Sequence, residues 1–402
     1  MNTLKLIRNH TGKLIPIALS TLRPSNAIVL LKNAFSLMVS QQWENYVQKN
    51  NLNYKTLAQD SLNWMKMSQD VVGSGGVGCY EFYRWTTGYP EVTGYIIPTF
   101  WDAFHLFQTD DYKNRALKMA EWELKIQKEV GGWEGFYEGD NQLPVVFNSG
   151  QVIRGLIRSY RETGEEKYLN SAIRCADWIV STQDEDGSWT STNFKQMKRV
   201  YDSYVTAPLA ELYQITKNEA YKDSCIKNCD FVLRNQHENG WFDLCDNTLI
   251  NNEAPVTHTL CYTIDGLIET GQRLGIQKYI DAAKVSADAM MHKAEILPVL
   301  PGRLDKNWKK RANYVCNTGN AQLGIIMIRL YEITKEARYL NTALKLADYL
   351  SYVKKLNSVG KYRNGGISGS YPIWGMYCPL KYPSWAAKYY VDLMLLLDKH
   401  AK

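Results

Sequence analysis

The chain has 402 residues, of which 45% are apolar and 22% charged, as expected of a globular protein. Its 47 Lys and Arg against 41 Asp and Glu leave a net charge of +6, too diffuse for a dedicated nucleic-acid binder. Extended disorder and a fibrous repeat are excluded on the same grounds, and 12 Trp with 27 Tyr, many in Gly-rich stretches, point to aromatic surfaces with work beyond core filling.

Taken in chain order, residues 1–20 carry Lys5, Arg8 and Lys13 and no unbroken apolar core, so they do not read as a secretory signal. Residues 25–39 are apolar but short and interrupted by Lys32 and Asn33. They read as a docked helix, with peripheral contact to a membrane surface as the alternative. No stretch reaches the roughly 18 to 20 apolar residues of a membrane span. Eight cysteines lack paired spacing, which fits reduced thiols and a cytoplasmic protein. Neither CxxC nor HxxxH spacing occurs, so no metal and no cofactor is expected.

A repeat begins near residue 54. Loops such as RETGEEKYLNSA and YEITKEARYLNTA join pairs of helical patterns and place Tyr112, Tyr168, Tyr221, Tyr279 and Tyr339 alike. Three second helices end in QKEVGGW (127–133), QDEDGSW (183–189) and QHENGW (236–241), where Gly takes positive φ and Trp covers the helix end. The following apolar helices start near Thr93, Ser149, Ser203, Thr257, Thr318 and Ser384, where Ser and Thr suit the N-cap. Six inner and six outer helices result, with first and last able to pair. The expected fold is all-α, an (α/α)6 toroid over 54–402 with a helical extension at 1–53; an open solenoid is the structural alternative.

These features resemble the six-hairpin toroid superfamily over about residues 54–398. QDEDGSW matches the QxxxGxW signature of terpenoid cyclases and protein prenyltransferases, and NSGQVIRGLIRSYRETGEEKYLNSAIRCADWIVSTQDEDGSW is most similar to the carbohydrate-active members. The resemblance implies a polysaccharide lyase, a uronyl epimerase or a toroidal glycoside hydrolase, and fold alone does not choose among them.

Loop lengths place the site. Inner-to-outer links need about 3 to 6 residues, whereas outer-to-inner links are long (69–92, 128–147, 184–200, 237–256, 294–316, 356–383). They lead six helix N-termini, with their free N–H groups, to one funnel. His258 and Tyr262 share a helix face there and are the candidate proton carriers. Glu91 and Asp202 form a candidate acid–base carboxylate pair. Arg84 and Arg303, with Arg199, stand as carboxylate clamps. Asn148, Gln151, Asn317, Asn320 and Gln322 are candidate readers of a uronate or its enediolate. Trp85, Tyr89, Tyr95, Tyr201, Tyr371, Trp374, Tyr377 and Trp385 are candidate sugar-stacking groups.

The leading reading is proton abstraction beside the carboxylate of an acidic polysaccharide or oligosaccharide, giving a lyase or C5-epimerase. A hydrolase using Glu91 and Asp202, a non-catalytic glycan-binding toroid, and a terpenoid-type cyclase are the alternatives. The cyclase reading lacks a DxDD motif.

Overall fold

Each hairpin turns on two residues. In the computed structural model, which describes residues 23–38, 52–247, 252–296 and 299–400, the inner helices are α3 (Pro90–Phe107), α5 (Val146–Thr163), α7 (Ser203–Thr216), α9 (Thr257–Leu274), α11 (Asn317–Thr334) and α13 (Ser384–His400). The outer ones are α2 (Tyr54–Val72), α4 (Asp110–Ile126), α6 (Glu166–Ser181), α8 (Glu219–Arg234), α10 (Gln277–Ile296) and α12 (Ala337–Asn357). Gln108, Gly164, Lys217, Gly275 and Lys335 take φ between 53° and 74° after the inner helices and return their N–H to the last turn. The links are shorter than the sequence suggests because one left-handed residue and one extended N-cap residue suffice. α13 packs against both α2 and α3, so the ring is closed and the fold is an (α/α)6 toroid.

The repeat signature acts as a staple between neighbouring outer helices. Gln127 Nε2 donates to Gly131 O at 2.7 Å and to Ser171 O on α6 at 3.0 Å. Gln183 does the same to Gly187 O and Ser224 O on α8, both at 3.0 Å. Trp133 and Trp189 donate their indole N–H to Glu123 O and Ile179 O at 2.9 Å. The repeated tyrosines reach back one repeat: Tyr168 to Glu121, Tyr221 to Asp177, Tyr279 to Asp230 and Tyr339 to Asp288.

Gly187 is required twice over. Its φ is +88°, and a Cβ would lie 2.2 Å from Lys227 O on α8. Gly187→Ala should therefore cost about 2–4 kcal/mol, combining left-handed strain with a backbone clash. Gly164→Ala (φ +74°, open space around the Cβ) should cost only about 1 kcal/mol. Denaturant midpoints of the two variants check the contrast.

One expectation changes. The Ser and Thr residues at the inner-helix starts are not N-caps; Tyr89, Val145 and Val256 hold that place on α3, α5 and α9 without side-chain caps. Thr93 Oγ1 instead accepts Val77 N–H, and Ser149 Oγ accepts Trp133 N–H, both at 2.9 Å. These hydroxyls sit one turn inside the helix and anchor the loop arriving from the outer layer.

Short strands tie the long loops sideways. β1 (Tyr80–Glu81) pairs with β2 (Arg84–Trp85) and with β5 (Lys381–Tyr382), and β3 (Val315–Cys316) pairs with β4 (Ser370–Tyr371). The first helix among the described residues, α1 (Pro24–Met38), braces the toroid through Asn33 to Asn357 at 2.7 Å and Ser36 to Tyr352 at 2.6 Å. The remainder of the expected 1–53 extension, 1–22 and 39–51, lies outside the described residues. Among the described residues no helix is long and apolar enough to cross a membrane.

Candidate active site

The first turns of α3, α5, α9 and α13 and the residue leading into α7 surround a cavity of about 710 Å³. Glu91, Phe147, Asn148, His258, Thr259 and Trp385 come from those turns, Tyr201 from the approach to α7, and Tyr95 and Tyr262 from one turn deeper. The long loops add Glu81, Arg84, Trp85, Tyr89, Phe136, Tyr137, Phe194, Tyr377 and Lys381. Helix N-termini facing the space supply free N–H groups and a positive field.

Deep in the wall, the His258 and Tyr262 rings pack at a tilt of 48° with centroids 4.3 Å apart. Gln322 Oε1 lies 2.5 Å from His258 Nδ1; since a carbonyl oxygen accepts, the ring proton sits on Nδ1 and Nε2 keeps its lone pair. Burial lowers the His258 pKa to about 4, against a smaller upward pull from Gln322, so the imidazole is neutral at pH 7. Glu91 is displaced the other way. Burial raises its carboxyl to about 7, opposed by the 2.9 Å hydrogen bond that Tyr89 Oη donates to Oε2. A neutral base and a carboxylic acid that is protonated up to neutrality therefore share one cavity.

Glu81 belongs to the rim. Burial alone would raise its pKa, but Lys381 Nζ at 3.1 Å and Arg84 Nε at 3.0 Å hold it low. Strand register sets this cluster: Glu81 faces Lys381 across β1–β5 and Arg84 across β1–β2. Lys381 also donates to Tyr137 Oη at 3.3 Å. Aromatic rings complete the wall, with Trp385 Nε1 donating to Tyr377 Oη at 2.8 Å and Tyr89 edge-on to Trp385 at 6.0 Å.

Eleven sequence candidates line this cavity: Arg84, Trp85, Tyr89, Glu91, Tyr95, Asn148, Tyr201, His258, Tyr262, Tyr377 and Trp385. Gln322 stands behind His258 and orients it. The others turn elsewhere. Asp202 is fully buried, with Asn193 Nδ2 donating to Oδ2 at 2.5 Å, because the tight turn Val200–Asp202 sends Tyr201 inward and Asp202 to the back. The proposed Glu91–Asp202 pair is thus not assembled, and Glu81 and Asp140 are the other carboxylates of the lining. Gln151 binds Phe147 O and Arg154. Arg303 reaches across to Asp246 and Ala254 O of the preceding long loop, and Arg199 is buried against Lys198 O. Asn317 holds Ser368, and Asn320 holds both Leu300 N–H and Leu300 O, so the start of α11 fastens loops rather than facing the cavity. Tyr371 Oη meets Ser36 on α1 at 2.8 Å, and Trp374 is half-exposed outside the cavity.

Sequence reasoning missed Glu81, Tyr137, Phe147, Phe194 and Lys381. Phe147 adjoins Asn148 at the start of α5 and was within reach of the helix-start argument. Glu81 and Lys381 meet only through a strand pairing 300 residues apart in sequence. Among the described residues no group of three or more His, Cys, Asp or Glu side chains is arranged to hold a metal ion.

Comparison with known proteins agrees with this architecture. The sequence model of Glycosyl Hydrolase Family 88 matches residues 109–293, a little under half of the chain. A search of the curated proteins finds no match. Among solved structures, an unsaturated glucuronyl hydrolase specific for heparin superposes with a TM-score of 0.69 at 12% identity, over 87% of this chain and 97% of that one. Cellobiose 2-epimerase from Bacillus thermoamylovorans B4167 gives 0.68 at 13% identity, over 89% and 100%. A polysaccharide lyase gives 0.59 at 15% identity, over 78% and 91%. At these identities the likeness establishes fold. The chain is a six-hairpin (α/α)6 toroid that resembles the carbohydrate-active members of that superfamily.

Proposed function

We propose that the protein is a carbohydrate-active enzyme that acts on a uronate-containing glycan by moving the proton next to the sugar carboxylate. The observation that carries this reading is the pairing, in one aromatic cavity, of His258, neutral with Nε2 unprotonated, and Glu91, protonated near neutral pH. Tyr and Trp faces suit sugar rings, and the Asn148 amide stands at the opening turn of α5 to read a hydroxyl or carboxylate oxygen. The uronate carboxylate would lie among the helix N-termini, near Lys381.

His258 then takes the proton from the carbon bearing the carboxylate. Glu91 or Tyr262 supplies a proton to the enediolate or to the departing glycosidic oxygen. Return of a proton to the opposite face of C5 gives epimerisation; cleavage of the C4–O bond gives elimination. An imidazole with a pKa near 4 is a weak base on its own, but a bound carboxylate stabilises the imidazolium and strengthens it.

Hydrolysis is the second reading, favoured by the family match over 109–293 and by Glu91 as a ready general acid. One experiment separates these reactions. The protein is incubated in heavy water with saturated and unsaturated uronate oligosaccharides. Deuterium at C5 identifies an epimerase, a new ultraviolet-absorbing double bond a lyase, and loss of an existing double bond or an added water a hydrolase. No change in any glycan overturns the enzymatic reading.

A further inference from the structure

Helix α1 is docked the wrong way round for an ordinary surface helix. Its buried face is mostly polar: Asn26, Asn33 and Ser36 are hydrogen-bonded into the toroid beside Val29. Its opposite face is apolar. Ile28, Leu31, Phe35 and Met38 follow one another at helical spacing within an arc about 80° wide, and Leu31, Phe35 and Met38 are 69%, 62% and 81% exposed. Asn33 Oδ1 also accepts the N–H of Ile373, in the segment that exposes Trp374 and Met376 before entering the cavity wall at Tyr377. A stripe of this kind on a soluble surface marks a contact surface.

Charge identifies what covers it. The first 43 residues hold Lys5, Arg8, Lys13, Arg23 and Lys32 and no Asp or Glu, although the chain as a whole carries 41 acidic residues. Lys32 and Arg23 are exposed on α1 and just before it. Large apolar side chains on a segment whose only charged residues are cations suit an interface that is apolar inside and anionic at its rim. A second copy of the same helix would instead set like charges beside each other.

We infer that the outer face of α1 seats the protein on an anionic lipid surface, with Ile28, Leu31, Phe35 and Met38 entering the headgroup boundary and Arg23 and Lys32 meeting lipid phosphates. The segment 370–382 links this face to the cavity, so docking brings the site to glycans held at a membrane. This surface does not depend on which glycan reaction the cavity performs.

The test is co-sedimentation of the full-length protein with phosphatidylcholine vesicles with and without phosphatidylglycerol. The expected result is binding to the anionic vesicles that weakens with salt. It should fall about tenfold or more in Leu31→Ser/Phe35→Ser and also in Arg23→Glu/Lys32→Glu. All four side chains are exposed, and unchanged thermal unfolding confirms folding of the variants. Absence of wild-type binding to anionic vesicles, or equal binding by the variants, overturns the inference. So does a self-association in analytical ultracentrifugation that Leu31→Ser/Phe35→Ser abolishes, since a second copy would then be the occupant.

Discussion

Glu91→Gln is expected to lower turnover of the responsive glycan by about 10²–10⁴-fold while leaving its binding within a few fold, the effect of removing one positioned proton donor. Glu91 sits at the second position of α3, buried in the cavity wall, and burial holds its proton to about pH 7. Glu91 and His258 together set the pH profile. As pH rises through 7, Glu91 ionises and the acid is lost; as pH falls through 4, His258 takes up a proton and the base is lost. The kcat/KM profile of the free enzyme should therefore be flat between about 4 and 7 and fall on both sides. Gln322→Leu should lower the rate through misorientation of His258, and rescue by Gln322→Glu but not by Leu identifies the acceptor at Nδ1 as the reason. A Glu91→Gln enzyme at full speed removes Glu91 from the chemistry.

Stability responds to these two groups in opposite senses. The Glu91 carboxyl binds its proton more tightly in the folded state than an ordinary glutamate does near 4.5, so its contribution is present at low pH and lost as pH rises from about 4.5 through 7. For His258 the unfolded chain protonates first, near 6.5, so stability is lost as pH falls from about 6.5 towards 4.

What the sequence reveals follows from the range of each interaction. The repeat is legible because Gln183, Gly187 and Trp189 lie within seven residues and fulfil their roles around one helix end. The helix-start positions Glu91, Asn148, His258 and Trp385 are legible because short links at one end and long ones at the other say where inner helices open. Direction within a turn is not legible. Tyr201 and Asp202 are neighbours, yet one faces the cavity and the other the packed interior. Asn317 and Asn320 resemble Asn148 and Gln151 in spacing but are consumed by the loops 299–304 and 366–370, whose paths no local pattern specifies. Lys381 reaches the rim only because β5 pairs with β1 across the closure of the ring.

The largest stability effect is expected beneath the cavity, where Glu269 on α9 gathers three arginines. Arg154 Nη1 lies 3.1 and 3.0 Å from its two oxygens, Arg273 Nη1 at 2.7 Å and Arg329 Nη2 at 3.2 Å. Burial would raise the Glu269 pKa, but the guanidiniums hold it far below the ordinary carboxylate range. Asp265 completes the network with Arg329 at 2.8 Å. Glu269→Ala leaves these cations facing one another across α5, α9 and α11 with one carboxylate fewer, and should cost about 3–5 kcal/mol in denaturant unfolding. The loss belongs to stranded charge rather than to missing attraction, so Arg154→Met/Glu269→Met should recover most of it. Arg154 also stacks on Tyr204 at 4.0 Å, and Tyr204 packs against Tyr262 at 4.7 Å, so the network supports the site from below. The single Glu269 variant should therefore lose activity as well as stability. If the double variant is no more stable than Glu269→Ala, the arginines are not held by Glu269 and the account of the toroid's centre fails.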